Sequence, residues 1–197
     1  MINFIDVSVK HSDSRGIHNV SFDIKKGQFV YLMGPTGAGK STIINSILRS
    51  IKPTSGKIIV NNMDISLFNN IDLAHYRRDV GMVFQDFKLM NDRTIFDNIA
   101  LPLQIIGSKK EIISEKVRDI LIKVGLDHKS NAYPSELSGG EQQKICVARA
   151  LIKNPKIVVA DEPTGNLDPS SSDDIIDLLE AESKLGTTII MATHNYP

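Results

Sequence analysis

Two glycine-rich stretches carry the chemistry most plainly written in this sequence. The first, GPTGAGKST, runs from Gly34 to Thr42 and has the form G-x-x-x-x-G-K-[ST]. Gly34, Gly37 and Gly39 allow the backbone to curl until several N–H groups point inward, with Pro35, Thr36 and Ala38 completing the turn. A helix starting near Lys40 adds the positive end of its dipole. Such a cradle suits nucleotide phosphates, with Lys40 reaching the β- and γ-phosphates and Ser41 placed to ligate Mg²⁺. An apolar run before the loop and a helix-like run after it supply the context this chemistry needs.

The second stretch, YPSELSGGEQQ, spans Tyr133 to Gln143. Ser138 and Glu141 form an S-x-x-E capping box ahead of QQKICVARALIK, so one reading is a capped helix and nothing more. Gly139 and Gly140, however, fall in the first helical turn, where each costs about 1 kcal/mol against alanine. That double cost points to something approaching the backbone closely, and a bare helix N-terminus with glycine N–H groups is an anion site. A third motif, KIVVADEP, is an apolar strand ending in two acids. Asp161 at the strand end suits the Mg²⁺ shell, and Glu162 beyond it suits a water attacking a γ-phosphate.

These motifs need elements to hold them. VSFDI alternates Val20, Phe22 and Ile24 against polar residues, as a half-buried strand does. GQFVYLMG is nearly continuous in apolar residues, which predicts a strand covered on both faces. Ile43, Ile44, Ile47, Leu48 and Ile51 share one helical face after the phosphate loop. GKIIVNN, DVGMVFQ, KIVVADE and TTIIMATH are further strand candidates. Between Gln85 and Pro155 the pattern turns helical. SKKEIISEKVRDILIKVGL predicts a helix capped by Ser108 and Glu111, with a stripe of Ile112, Ile113, Val117, Ile120, Leu121 and Val124 and a stop at Gly125. The sum is a mostly parallel α/β core interrupted by a helical insertion and resuming near Lys156.

The bulk numbers narrow the class. The 197 residues suffice for one domain with a sizeable core. Formal net charge is +0, so no global positive field exists to hold nucleic acid, and no nucleic-acid partner is expected. The single cysteine, Cys146, allows no internal disulfide or cysteine-rich metal site and reads as a small apolar core residue. His18, His75 and His128 lack metal-ligand spacing, and YRRD, Tyr76 to Asp79, reads as a solvated charged turn. MINFIDVSVK lacks a secretory pattern, and no apolar stretch approaches the roughly 20 residues of a membrane span. These features predict a soluble cytoplasmic protein whose membrane role would run through a partner.

In this order and spacing, GPTGAGKST, VFQD, LSGGEQQ, VVADEPTGNLD and ATH closely resemble an ABC-type ATPase domain, over essentially the whole chain. The resemblance implies an α/β P-loop NTPase fold with a mostly parallel sheet core, N-terminal antiparallel strands and a helical signature subdomain. It implies one domain over residues 1–197, with 1–85 and 155–197 as core subdomain and 86–154 as helical subdomain. ATP would lie on Gly34, Pro35, Thr36, Gly37, Ala38, Gly39, Lys40, Ser41 and Thr42. The catalytic set would be Glu162, the switch histidine His194 and the Q-loop residue Gln85, and Mg²⁺ would be held by Ser41, Gln85 and Asp161. Members of the family pair head-to-tail as dimers, so Ser138, Gly139, Gly140, Glu141 and Gln142 would act in trans on the partner's ATP. Asp168 matches the D-loop acid and, ahead of Pro169, also suits a helix N-cap.

Three features depart from the family pattern. His11 stands where many members carry an adenine-stacking tyrosine, and it either stacks on the base or is a plain loop histidine. The family usually continues with further strands after the switch histidine, whereas this sequence stops at Pro197. Cys146 lies inside the signature helix. Within the family, QDFKLMNDRTIFDNIALPL, Gln85 to Leu103, is similar to the branch acting in bacterial cell division, which works on the inner face of the cell membrane through an integral membrane partner. Docking would fall near residues 86–94, on Phe87, Leu89 and Met90 if these are exposed. Lipoprotein-release and macrolide-export ATPases share ADEPTGNLD and are the alternative. A non-hydrolysing ATP-bound scaffold is a second alternative, which the presence of Glu162 and His194 argues against. DNA-repair relatives would need a long coiled coil that this chain lacks.

Overall fold

A computed structural model describes residues 1–10 and 16–194. The chain opens with β1 (Ile2–Lys10) and β2 (Gly16–Ile24), then β3 (Phe29–Met33), α1 (Lys40–Ile47), β4 (Ser55–Val60), β5 (Met63–Asp64), α2 (Asn70–Tyr76) and β6 (Val80–Val83). Helices α3 (Ile95–Ile105), α4 (Lys110–Lys123) and α5 (Gly139–Leu151) follow, and β7 (Ile157–Asp161), α6 (Pro169–Lys184) and β8 (Thr188–Thr193) complete the described fold. Two sheets result. The antiparallel one runs β2-β1-β4-β5, and the parallel one runs β3-β8-β7-β6.

Alternation along β7 and β8 explains how the parallel sheet is covered. Ile157, Val159, Ile190 and Ala192 face α1 and the antiparallel sheet, whose Ile2, Phe4, Ile24, Ile58 and Val60 pack with Ile44 and Ile47. Val158, Ala160, Ile189 and Met191 face the other way, onto Cys146, Val147 and Ala150 of α5 and Ile175 and Leu179 of α6. Each such fully buried Val, Leu, Ile or Phe side chain contributes about 1.5–3 kcal/mol of transfer free energy. The α5 helix is apolar on a second side too, where Ile145, Ala148 and Ile152 join Ile95, Ile99 and Leu103 of α3 and Ile113, Val117 and Leu121 of α4. It is thus the shared wall between the sheet and the helical region. At Gly81 an added Cβ would stand 2.6 Å from the carbonyl oxygen of Ala150, so β6 and α5 touch backbone to backbone.

Four local expectations are corrected. Ser108 does not cap α4. Its N–H donates to Leu103 O (3.0 Å) while Gly107, at φ 76°, donates to Gln104 O, so Ser108 closes the end of α3 and Lys109 becomes the N-cap of α4. Ile112 is exposed, and the buried stripe is Ile113, Val117, Leu121 and Val124. The predicted stop at Gly125 holds, with φ 73° and bonds from Gly125 and Leu126 back to Ile122 and Leu121. The β3 strand is not covered on both faces. It is the edge of the parallel sheet among the described residues, and its side chains are only half-buried or exposed. Tyr76 is not solvated, for its hydroxyl donates to Ile47 O (2.8 Å) inside the core, while Arg77 beside it donates to Leu48 and Arg49 carbonyls after α1.

Asn98 of α3 is fully buried, and its whole amide is engaged. Its Nδ2 donates to the carbonyls of Met90 (3.0 Å), Arg93 (3.3 Å) and Thr94 (3.0 Å), and its Oδ1 accepts the Met90 N–H at 2.7 Å. One side chain thereby shapes the segment between β6 and α3. Truncation removes four bonds to part-buried backbone groups, each worth about 0.5–1.5 kcal/mol net. Asn98→Ala is therefore expected to lower the unfolding free energy by more than about 2 kcal/mol, read from urea denaturation midpoints.

Candidate nucleotide site

Parallel pairing puts the carboxyl ends of β3, β8 and β7 on one edge, with Met33 beside Thr193 and Asp161 beside Ala192. The phosphate loop leaves β3 there. Gly34, Gly37 and Gly39 all have positive φ (152°, 84° and 95°). Gly39 is the N-cap of α1, and no side chain caps that end. The first N–H groups of the helix therefore face outward with the positive dipole end behind them. A cavity of about 220 Å³ lies over them, lined by Gly16, Thr36, Gly37, Gly39, Ser41 and Glu162 among others.

Lys40 is 8% exposed, and its ammonium is folded back on the loop's own carbonyls, Gly34 O at 2.7 Å and Pro35 O at 3.3 Å. It also lies 3.7 Å from Glu162 Oε1. Ser41 Oγ donates to Asp161 Oδ1 at 3.3 Å. Burial pushes the Asp161 carboxyl above the ordinary aspartate range, an effect the neighbouring Glu162 charge reinforces and Ser41 and Lys40 oppose. Glu162 sits past the strand end at φ 47°, a left-handed conformation that non-glycine residues rarely adopt. Its N–H extends the ladder to Ala192 O (2.9 Å). His194 Nδ1 lies 2.7 Å from Glu162 Oε2, so with the carboxylate ionised the ring nitrogen carries the proton and donates. Glu162 is thus held between the lysine and the histidine at the lip of the cavity.

The residues predicted from separate motifs converge here: Lys40, Ser41, Asp161, Glu162 and His194. Gln85 is exposed, and its Nε2 would lie 3.0 Å from a Cβ at Gly165, so its amide rests on the turn that follows Glu162. Gly165 escaped the sequence reading, although GNLD after the two acids already marks a tight turn there. Gln143 also escaped it. Its Nε2 donates to the Phe84 carbonyl at 3.2 Å and the Pro163 carbonyl at 2.7 Å. The available signal was an amide three to four residues before Cys146 and Val147, on the apolar stripe of α5 that faces the sheet. His11 lies outside the described residues. His18, His75 and His128 are exposed, and among the described residues no cluster of three His, Cys, Asp or Glu side chains could hold a metal.

Ser138, Gly139, Gly140, Glu141 and Gln142 are absent from the lining of that cavity. The capping box forms as predicted, with Glu141 N–H on Ser138 Oγ (3.3 Å) and Ser138 N–H on Glu141 Oε2 (2.8 Å). The backbone bond to Ser138 holds the Glu141 carboxyl below its usual range. Gln142 Nε2 donates to Leu137 O (3.1 Å). The Gly139 and Gly140 N–H groups precede the first helical bond, so the ladder gives them no partner. Asp168 caps α6, accepting from Ser171 N–H (3.0 Å) and Ser171 Oγ (2.6 Å), with Pro169 in the first turn. These bonds lower the Asp168 carboxyl below the usual range. The two glycines differ. A Cβ at Gly140 would stand 2.5 Å from Ser171 Oγ, whereas at Gly139 the nearest atom is 3.8 Å away. Gly140→Ala is therefore expected to lower the thermal midpoint and Ser171→Gly in the same chain to recover part of the loss. Gly139→Ala should leave stability unchanged or raise it by roughly 0.5–1 kcal/mol.

Comparison with known proteins agrees with this geometry. A family model described as ABC transporter matches residues 17–165. The cell division ATP-binding protein FtsE of Bacillus subtilis is 45% identical over 181 residues, covering 92% of this chain and 79% of the relative. That of Escherichia coli is 42% identical over 196 residues, covering 99% and 88%. Among solved structures, the dimeric bacterial ABC transporter cassette MJ0796 superposes with a TM-score of 0.88 at 36% identity, covering 99% of this chain and 88% of its own. The same cassette is known as a dimer in a post-hydrolysis state bound to ADP and Pi, at 35% identity and the same coverage. A family model spanning most of the chain, with relatives and solved cassettes matching nearly all of it, settles the lineage: the chain belongs to the ABC transporter family and is an ATPase within it.

Proposed function

We propose that two copies of the chain close on ATP, each supplying its phosphate loop to one nucleotide and its signature, Ser138, Gly139, Gly140, Glu141 and Gln142, to the other. The observation that carries the catalytic half of this reading is the carboxylate of Glu162, held between Lys40 (3.7 Å) and His194 (2.7 Å) at the lip of the phosphate cavity. Glu162 accepts a proton from water as its oxygen attacks the γ-phosphorus. The bond to the β–γ bridging oxygen breaks, and the electron pair leaves with ADP. His194 orients the carboxylate, and Lys40 exchanges the loop carbonyls for phosphate oxygens. In this reading residues 86–154 form the helical subdomain and residues 1–85 with 155–197 the core.

The donor set also fits Mg²⁺. Ser41 Oγ and Asp161 Oδ1 are hard oxygens 3.3 Å apart at the cavity, and Mg²⁺ in phosphate sites takes one or two carboxylates plus substrate oxygens rather than an all-protein cage. Ser41, Asp161 and Gln85 would hold it, and when bound it neutralises phosphate charge.

Cell-division relatives matching nearly the whole chain support a role with an integral membrane protein resembling FtsX, and through it in regulating cell-wall hydrolysis at the inner face of the bacterial membrane. Docking would involve the segment 86–94. Phe87, Leu89 and Met90 there are half-buried rather than exposed, and Leu89 packs on the helical core, so the surface is shaped by these side chains without being made of them alone. A lipoprotein-release or macrolide-export transporter is the competing assignment. Among the described residues no helix is long and apolar enough to cross a membrane. Affinity capture from membranes with Glu162→Gln as bait separates the two: a four-helix membrane protein is expected, and a lipoprotein extractor would favour the competitor.

Two kinetic outcomes are expected. Glu162→Gln keeps ATP binding and slows hydrolysis by about 10²–10⁴-fold, with ATP-trapped dimers visible by size-exclusion chromatography. Normal turnover in that variant would defeat the assignment. Mixing Ser138→Arg chains with Lys40→Ala chains leaves one intact composite site per mixed dimer, so activity absent from each variant alone should return on mixing.

A further inference from the structure

Gln143 is fully buried, yet it is not a simple packing residue. Its Nε2 spans two loops that sequence places far apart, donating to Phe84 O (3.2 Å) and Pro163 O (2.7 Å). Phe84 immediately precedes Gln85, and Pro163 immediately follows Glu162. Its Oε1 is buried without a hydrogen-bond partner. An apolar side chain of similar length would fill the same space and spare that orphaned acceptor, so packing alone does not account for an amide here. Six residues on, Arg149 holds the far side of the same loop, donating to Phe87 O (2.7 Å) and Lys88 O (2.6 Å). Phe87 and Lys88 both have positive φ (58° and 51°), a strained turn that needs such support. One helix therefore grips Gln85 from both sides and, through the same Gln143 amide, the turn after Glu162.

We propose that Gln143 is a positioning residue for ATP hydrolysis. It fixes the Gln85 loop against the Glu162 turn, so the two side chains keep one relative placement, and it does so from the N-terminal end of α5, directly after the signature. The inference rests on the ATPase reading above. Gln143 is fully buried and does not line the phosphate cavity, so its removal acts through Gln85 and Glu162. Errors of about 1 Å in such placement cost up to roughly 10²-fold in rate.

The test is steady-state ATP turnover of the full chain, with ATP affinity measured separately by equilibrium binding. Gln143→Met is expected to lower kcat about 10- to 100-fold while affinity changes by no more than about twofold. In a Gln85→Ala background the same substitution should add little, because both act on one unit. Gln143→Asn keeps an amide too short to reach both carbonyls and should lose turnover in the same way, which covers the case of a methionine variant that does not fold. An unchanged kcat, a loss confined to affinity, or independent multiplicative losses with Gln85→Ala would overturn the proposal, as would failure of both variants to fold. Absence of ATP turnover in the unmodified chain would remove the ATPase reading itself. Turnover that survives both substitutions would remove only the role of Gln143.

Discussion

Parallel register is the constraint on which this molecule depends. Strands β3, β8 and β7 are distant in sequence, yet parallel pairing brings all three carboxyl ends to one edge. Each end then delivers one part of the chemistry: the phosphate loop, His194, and the Asp161–Glu162 pair. Antiparallel pairing of any of the three would send its functional end to the opposite edge. Covering the sheet on both faces, with alternate side chains of β7 and β8 committed to different clusters, removes freedom to slip by one residue, since a slip would turn each set to the wrong side.

Charge is the second constraint. Two consecutive carboxylates stand at a site meant for a polyanion, and burial already disfavours ionisation of the first. Lys40 is the counter-charge they share, and its ammonium is meanwhile satisfied by loop carbonyls. A cation bound by neutral carbonyls is easier to recruit than one locked in a tight ion pair, because the carbonyls do not compete with phosphate in charge. The arrangement keeps the lysine buried and poised without a strong competitor for it.

The parts of the site readable in the sequence were those that residue types carry within a local motif. The phosphate loop, the capping box of Ser138 and Glu141, and the cap of Asp168 on α6 are all local. Gln143 and Arg149 were illegible for the opposite reason. Their partners are backbone carbonyls 59 and 62 residues away, and a carbonyl leaves no mark in residue type. Asn98 shares only the second of these reasons, since its backbone partners lie just four to eight residues away. Ser108 shows the converse failure. Its S-x-x-E pattern was correct as chemistry, but closure of α3 had already engaged the backbone N–H of that residue. The glycine pair of the signature was half legible. Close approach occurs at Gly140, where the neighbour is Ser171 of the same chain, while a Cβ at Gly139 would meet only ordinary contacts at 3.8–3.9 Å.

The backbone contact between Gly81 and Ala150 gives α5 a fulcrum near its C-terminal end. From Ala150 to Gly139 is 11 residues, a lever arm of about 16 Å at the helical rise. A tilt of about 10° about that point would move the signature end by roughly 3 Å and the backbone of Gln143, partway along, by nearly 2 Å. Hydrogen bonds do not stretch that far. Any rocking of the helix that moves its tip must therefore either drag the Phe84 and Pro163 carbonyls with it or let them go, so the signature end is mechanically geared to the phosphate pocket of its own chain.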